Sequence, residues 1–172
     1  MLIALAALHF GDRSRPLHMF DTFAGMTRPG VFDHSTITGN PVLARWESGK
    51  RSDNSNEWDF ASLAEVKQNF RLTNYPPNLL YTHVGDVVST LPGSDVSSIA
   101  ILRLDTDLYE STKVELEQLY PKVSERGFVI IDDYGHYAGA RRATDEYLET
   151  RTPRPFLQRV NYSVRMMQIT GR

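Results

Sequence analysis

Two acidic clusters stand at the ends of two apolar runs. Ile-Ala-Ile-Leu-Arg-Leu, from Ile99 to Leu104, leads into Asp105 and Asp107, and Phe-Val-Ile-Ile, from Phe128 to Ile131, leads into Asp132, Asp133 and Tyr134. Carboxylates gathered in one place raise one another's pKa unless a cation offsets them. An all-oxygen ligand set selects a hard divalent ion such as Mg²⁺, Mn²⁺ or Ca²⁺. One aspartate at a strand end would only cap the next turn or helix. Doublets at both ends point to a metal site.

The elements that must position these groups follow from the flanking residues. Both runs are short and aliphatic with polar borders, as in strands of a buried parallel sheet. The segment between them is long enough for one crossover helix, which makes a right-handed βαβ unit. Both acidic clusters then lie at the carboxyl ends of neighbouring strands, the edge where open α/β sheets bind ligands. Thr112-Lys-Val-Glu115 has the capping-box spacing and is expected to open that helix, with Val114, Leu119 and Val123 inward. Pro121 should end it and Gly127 should close the segment.

Earlier in the chain, residues 1–10 favour a helix stopped by Gly11. Leu17-His-Met-Phe20 reads as a strand ending on Asp21. Residues 22–58 are polar and rich in Gly and Pro, with Phe23, Phe32, Trp46 and Trp58 among them. A loop of this length is either a lid over a substrate or a mobile loop whose aromatics pack locally. Ser62-Leu-Ala-Glu65 has a second capping-box spacing, opening a helix to about Leu72 with Leu63, Val66 and Phe70 inward. Leu79–Val84 reads as a strand ending at Gly85-Asp86. Gly139–Glu149 is helical, with Ala140, Ala143, Tyr147 and Leu148 on its packed face. Phe156–Val160 and Val164–Ile169 read as a closing antiparallel hairpin with Met166 and Met167 as packing residues. Strands alternating with helices and then a hairpin predict a doubly wound α/β domain, mostly parallel, with an antiparallel edge.

Composition bounds the function. The chain has 172 residues, 41% hydrophobic and 23% charged, with a net charge of −2 from 19 basic and 21 acidic residues. This suits one soluble domain and argues against nucleic acid or an anionic membrane as partner. There is no cysteine, so disulfides, thiolate metal sites and cysteine nucleophiles are excluded. The apolar Leu2–Leu8 is too short to span a membrane and has no basic segment before it. A cytoplasmic location is expected. No G-x-x-x-x-G-K-[ST] accompanies the Val129–Asp133 strand end, which argues against a P-loop NTPase. No G-x-S-x-G is present, which argues against the usual serine hydrolases.

The stretch LRLDTDLYESTKVELEQLYPKVSERGFVIIDDYGHYAGARRATDEYL resembles the carboxyl half of the macrocin O-methyltransferase family, which includes mycinamicin and novobiocin tailoring enzymes. MFDTFAGM is similar to that family's second-strand motif, and NYSVRMMQI to its final hairpin. The resemblance implies a Rossmann-like class I methyltransferase sheet. It implies S-adenosylmethionine as methyl donor, a divalent metal, most simply Mg²⁺, and a small-molecule acceptor bearing a sugar or polyphenol hydroxyl. A homo-oligomer is left open. Asp105, Asp132 and Asp133 match the metal-binding carboxylates. Asp21, with Thr22 beside it, matches the position where a carboxylate accepts the ribose hydroxyls of the donor. Asp86 lies where methyltransferases approach the adenine, or is simply a turn aspartate. Related catechol-type enzymes place a lysine three residues after the first metal aspartate. That position is Leu108 here, which leaves Asp107 and His136 as candidate bases. His136 also reads as an ordinary surface histidine, and Arg141-Arg142 as either an acceptor grip or a solvated helix face.

The family carries a first strand and a Gly-rich turn ahead of the opening helix, and no suitable G-x-G occurs in this sequence. The expectation is a single methyltransferase domain over residues 1–172 whose first strand is absent. Leu17–Phe20 and Ile99–Leu104 then lack the strand that lies between them, and the chain alone should bind the donor weakly. Two functions remain: a metal-dependent O-methyltransferase, or a non-catalytic methyltransferase-like protein with a structural or oligomerising role.

Overall fold

In a computed structural model describing residues 1–52 and 55–170, the chain divides into two units. The first comprises Met1–Thr27 with Lys50–Asp86; the second comprises Arg28–Gly49 with the chain from Val87 onward.

In the first unit, α1 (Leu2–His9) ends as expected at Gly11. The Gly11 N–H bonds the Leu8 carbonyl at 3.0 Å and the Asp12 N–H bonds that of Ala7 at 2.8 Å, the paired pattern that closes a helix C-terminus. Strand β1 (Leu17–Asp21) runs parallel to β4 (Leu80–Val84), with Leu17 opposite Leu80 and Asp21 opposite Val84. Helix α3 (Leu63–Arg71) starts at Ser62, whose hydroxyl accepts from the Glu65 N–H. Ala4, Phe70 and Tyr75 form its core, with Ala7, Leu8, Leu17, Leu79 and Leu80 packed around them. The opposite face of β1 and β4 is a stack of rings: Phe20 on His83 at 3.9 Å and His18 on Tyr81 at 4.8 Å.

In the second unit, β5 (Ile99–Leu104) and β6 (Val123–Ile131) are parallel and joined through α5 (Tyr109–Leu119), the expected βαβ unit. The short helix α4 (Val87–Thr90) and helix α6 (Ala138–Glu149) both pack on α5. Strand β8 (Arg165–Gln168) lies antiparallel to β6, and β7 (Gln158–Arg159) lies outside β8, giving the order β5-β6-β8-β7. The core here holds Leu102, Leu104, Leu116, Val129, Ile131, Leu148 and Met167. Among the described residues, β1 pairs with β4, and β5 pairs with β6. Ile101 on β5 is 49% exposed.

Three local expectations are corrected. Helix α5 begins at Tyr109, three residues before the supposed capping box, so Thr112 and Glu115 are interior helix residues, both buried. Strand β6 begins at Val123 and not at Phe128. It advances from Val123 to Phe128 while β5 advances from Ile99 to Ile101, an irregularity built around Arg126 at φ 65°. The stretch 22–58 is not featureless. It contains α2 (Leu43–Ser48) and the antiparallel pair β2 (Lys50–Ser52) and β3 (Ser55–Asn56), and it buries Phe23, Trp46 and Trp58.

Candidate active site

The acidic turn after β5 is held tightly. Asp107 has φ 65°, a left-handed conformation rare for a non-glycine residue and characteristic of functional turns. The Leu108 N–H bonds the Thr106 carbonyl at 2.7 Å. The Ser111 hydroxyl donates to the carbonyls of Thr106 and Leu108, and the Thr106 hydroxyl donates to Glu115 at 3.0 Å. The turn after β6 is fixed from the hairpin. The Ser163 hydroxyl donates to the Asp132 carbonyl at 2.7 Å, and the Gly135 N–H donates to the Ser163 carbonyl at 2.8 Å.

These two turns bring Asp105, Asp107 and Asp133 together, with one carboxylate oxygen of each within 4.8 Å of the others. Asp132 stands beside them, its carboxylate 3.2 Å from Arg103, whose other nitrogen bonds Asp105 at 2.5 Å. One guanidinium thus pairs with both Asp105 and Asp132. Withdrawal from water, with Asp132 and Asp133 nearby, pushes the Asp105 carboxyl up to about 7 against the pull of Arg103. Burial likewise raises Asp133, opposed by a hydrogen bond with Asp107. The clustered carboxylates of Asp105, Asp107 and Asp133 are an all-oxygen donor set of the kind a hard divalent cation takes.

His136 sits on the turn after Asp133, half-buried, with its Nδ1 3.3 Å from the Tyr162 hydroxyl and its ring edge-on to Tyr137. Its carbonyl accepts from the Thr36 N–H at 2.9 Å.

The first unit holds the other sequence candidates. Asp21 ends β1, and its Oδ1 accepts from the Phe23 N–H at 2.5 Å. The Thr22 hydroxyl is engaged within its own turn, donating to the Gly25 carbonyl and accepting from the Ala24 N–H. Asp86 follows Gly85, whose N–H bonds the Asp21 carbonyl at 2.9 Å, so Asp21 and Asp86 mark adjoining strand ends.

Sequence reasoning passed over Arg103, Glu115 and Asp33. Arg103 carried a readable signal: it is two residues before Asp105 on a strand, and so on the same face. Glu115 was hidden in the apparent capping box. Asp33 had no local signal for this role, because the Tyr109 amide it accepts from is 76 residues away.

The macrocin-O-methyltransferase (TylF) family model matches residues 1–164. An 8-demethyl-8-(2,3-dimethoxy-α-L-rhamnosyl)-tetracenomycin-C 4'-O-methyltransferase from Streptomyces olivaceus is 34% identical over 137 residues, 80% of this chain and 48% of that protein. A demethyldecarbamoylnovobiocin O-methyltransferase from Streptomyces niveus is 47% identical over 90 residues, 50% of this chain and 33% of that protein. The chain therefore spans half or less of the length of these curated relatives. The solved structure of the O-methyltransferase NovP superposes with a TM-score of 0.82 at 29% identity, covering 99% of this chain and 66% of that one. The α/β architecture with its mixed sheet is accordingly Rossmann-like. With the acidic strand ends in place and a family model matching nearly the whole sequence, this chain belongs to the macrocin O-methyltransferase (TylF) family.

Proposed function

We propose that this chain carries out metal-dependent O-methylation, moving a methyl group from S-adenosylmethionine to a hydroxyl of a natural-product sugar or phenol. The observation that carries the reading is the approach of Asp105, Asp107 and Asp133 to within 4.8 Å. The relatives support the acceptor class, since they are named for methylating antibiotics, one of them a rhamnosyl-tetracenomycin.

Asp105 and Asp133, with Asp132 beside them, would hold the divalent ion. When bound, such an ion lowers the pKa of a hydroxyl at the site. Asp107 is the general base, its carboxylate lying within 4.8 Å of those of Asp105 and Asp133. The acceptor oxygen loses its proton to Asp107 and bonds the methyl carbon as the carbon–sulfur bond breaks. The products are a methyl ether and S-adenosylhomocysteine. His136 is the alternative proton acceptor, one turn from Asp133. Asp21 would bind the donor's ribose, with Thr22 shaping the turn beside it, and Asp86 would contribute on the adenine side.

Calorimetry with Mn²⁺ on the 172-residue chain tests the core of this reading. One ion should bind, and Asp105→Ala and Asp133→Ala should each weaken it at least about tenfold. Equal affinity in all three proteins rules out the metal assignment. In a form of the protein that transfers methyl groups, transfer from labelled donor to glycosides with vicinal hydroxyls should stop on chelation.

A further inference from the structure

Asp33 is 2% exposed, yet it lies in a stretch that looked like loop. Its Oδ1 accepts from the Tyr109 backbone N–H at 2.8 Å, and its Oδ2 accepts from the Gly30 N–H at 2.7 Å. Its own N–H bonds the Gly30 carbonyl, and its carbonyl accepts from the Val42 N–H at 3.1 Å. Tyr109 is the first residue of α5, two positions after Asp107. Asp33 therefore caps α5 from outside the helix, where the positive end of the helix dipole favours a carboxylate.

A second observation points the same way. Gly139 is the second residue of α6, where alanine would be the better helix former. A Cβ there would stand 1.9 Å from Asp33 Oδ1 and 2.8 Å from the Tyr109 nitrogen. The glycine makes room for the carboxylate. The same segment also grips the other acidic turn: the Thr36 hydroxyl donates to the Gly135 carbonyl at 2.6 Å, and the Ala138 N–H bonds the His34 carbonyl at 2.9 Å.

We propose that Asp33 is a positioning residue that sets the Asp107 carboxylate, acting through the Tyr109 amide and the α5 N-terminus. The segment around it thereby ties the turn bearing Asp107 to the turn bearing Asp133 and His136. The role assigned to Asp107 rests on the reading above; the placement itself does not.

The test uses the 172-residue chain and two routes to the same lesion. Asp33→Ala removes the acceptor. Gly139→Ala leaves Asp33 intact but drives a methyl group into it. Asp33→Asn keeps one oxygen for the Tyr109 amide and serves as the rescue. Folding of each is checked by circular dichroism. The readouts are the Asp107 side-chain carboxyl ¹³C signal, assigned with Asp107→Asn, and Mn²⁺ affinity. Asp33→Ala and Gly139→Ala should both shift the signal and weaken Mn²⁺ about tenfold or more, while Asp33→Asn stays within about threefold of wild type. A folded Asp33→Ala or Gly139→Ala protein with the wild-type Asp107 signal overturns the proposal. If wild type binds no Mn²⁺, the metal reading fails, and the Asp107 signal alone decides the positioning.

Discussion

The carbonyl oxygen of Tyr162 lies 1.8 Å from the point where a Cβ on Gly135 would stand, and the Ser163 Cα lies 2.7 Å from it. The hairpin turn is thus pressed against the loop that follows Asp132 and Asp133. Both obstructing groups are backbone, so neither can swing aside as a side chain would. Gly135→Ala should destabilise the protein by about 1–3 kcal/mol, as overpacking does. Urea unfolding followed by circular dichroism checks it, and Mn²⁺ affinity should fall in the same variant because Asp133 rides on that loop. Unchanged stability and affinity would show that the loop and hairpin are only loosely apposed.

Glu115 is 6% exposed on α5, with the Thr106 hydroxyl as its hydrogen-bond donor. Burial pushes its carboxyl up to about 8 from an ordinary value of 4.5. The native state therefore holds this proton more tightly than the unfolded chain. Its contribution to stability is fully present below about 4.5, declines as pH rises between 4.5 and 8, and is flat above. The slope in that window is at most about 1.4 kcal/mol per pH unit. Glu115→Gln, which stays neutral, should remove this slope and be more stable than wild type at pH 9. Urea midpoints at pH 5, 7 and 9 measure it; parallel curves for the two proteins would mean that Glu115 titrates normally.

Asp21 should act on donor binding and not on chemistry. A ribose contact is made equally in the ground and transition states, so its loss appears in KM for S-adenosylmethionine and leaves kcat nearly unchanged. In a form of the protein that transfers methyl groups, Asp21→Ala should raise donor KM about tenfold, the loss expected for a hydrogen bond to a charged group. A normal donor KM with a low kcat would place Asp21 in the reacting centre instead.

Much of this protein is legible in its sequence. The aliphatic runs at Ile99–Leu104 and Phe128–Ile131 become β5 and β6, burying Leu102, Leu104, Val129 and Ile131 on one face while Ile101 on the other stays exposed. Asp105, Asp107 and Asp133 meet because parallel pairing through a short crossover leaves two strand ends side by side, a local consequence of the βαβ unit. Ser62 and Glu65 made a true helix start. Thr112 and Glu115, at the same spacing, did not, and the difference was invisible in sequence. Helix α5 could begin earlier, at Tyr109, because Asp33 supplies the acceptor for its first amide from 76 residues away. That bond and the closures of Gly139 on Asp33 and Gly135 on Tyr162 were decided by tertiary structure alone. Local pattern encodes periodicity and turn chemistry over a few residues, whereas these contacts join segments that approach only after the sheet and helices have packed.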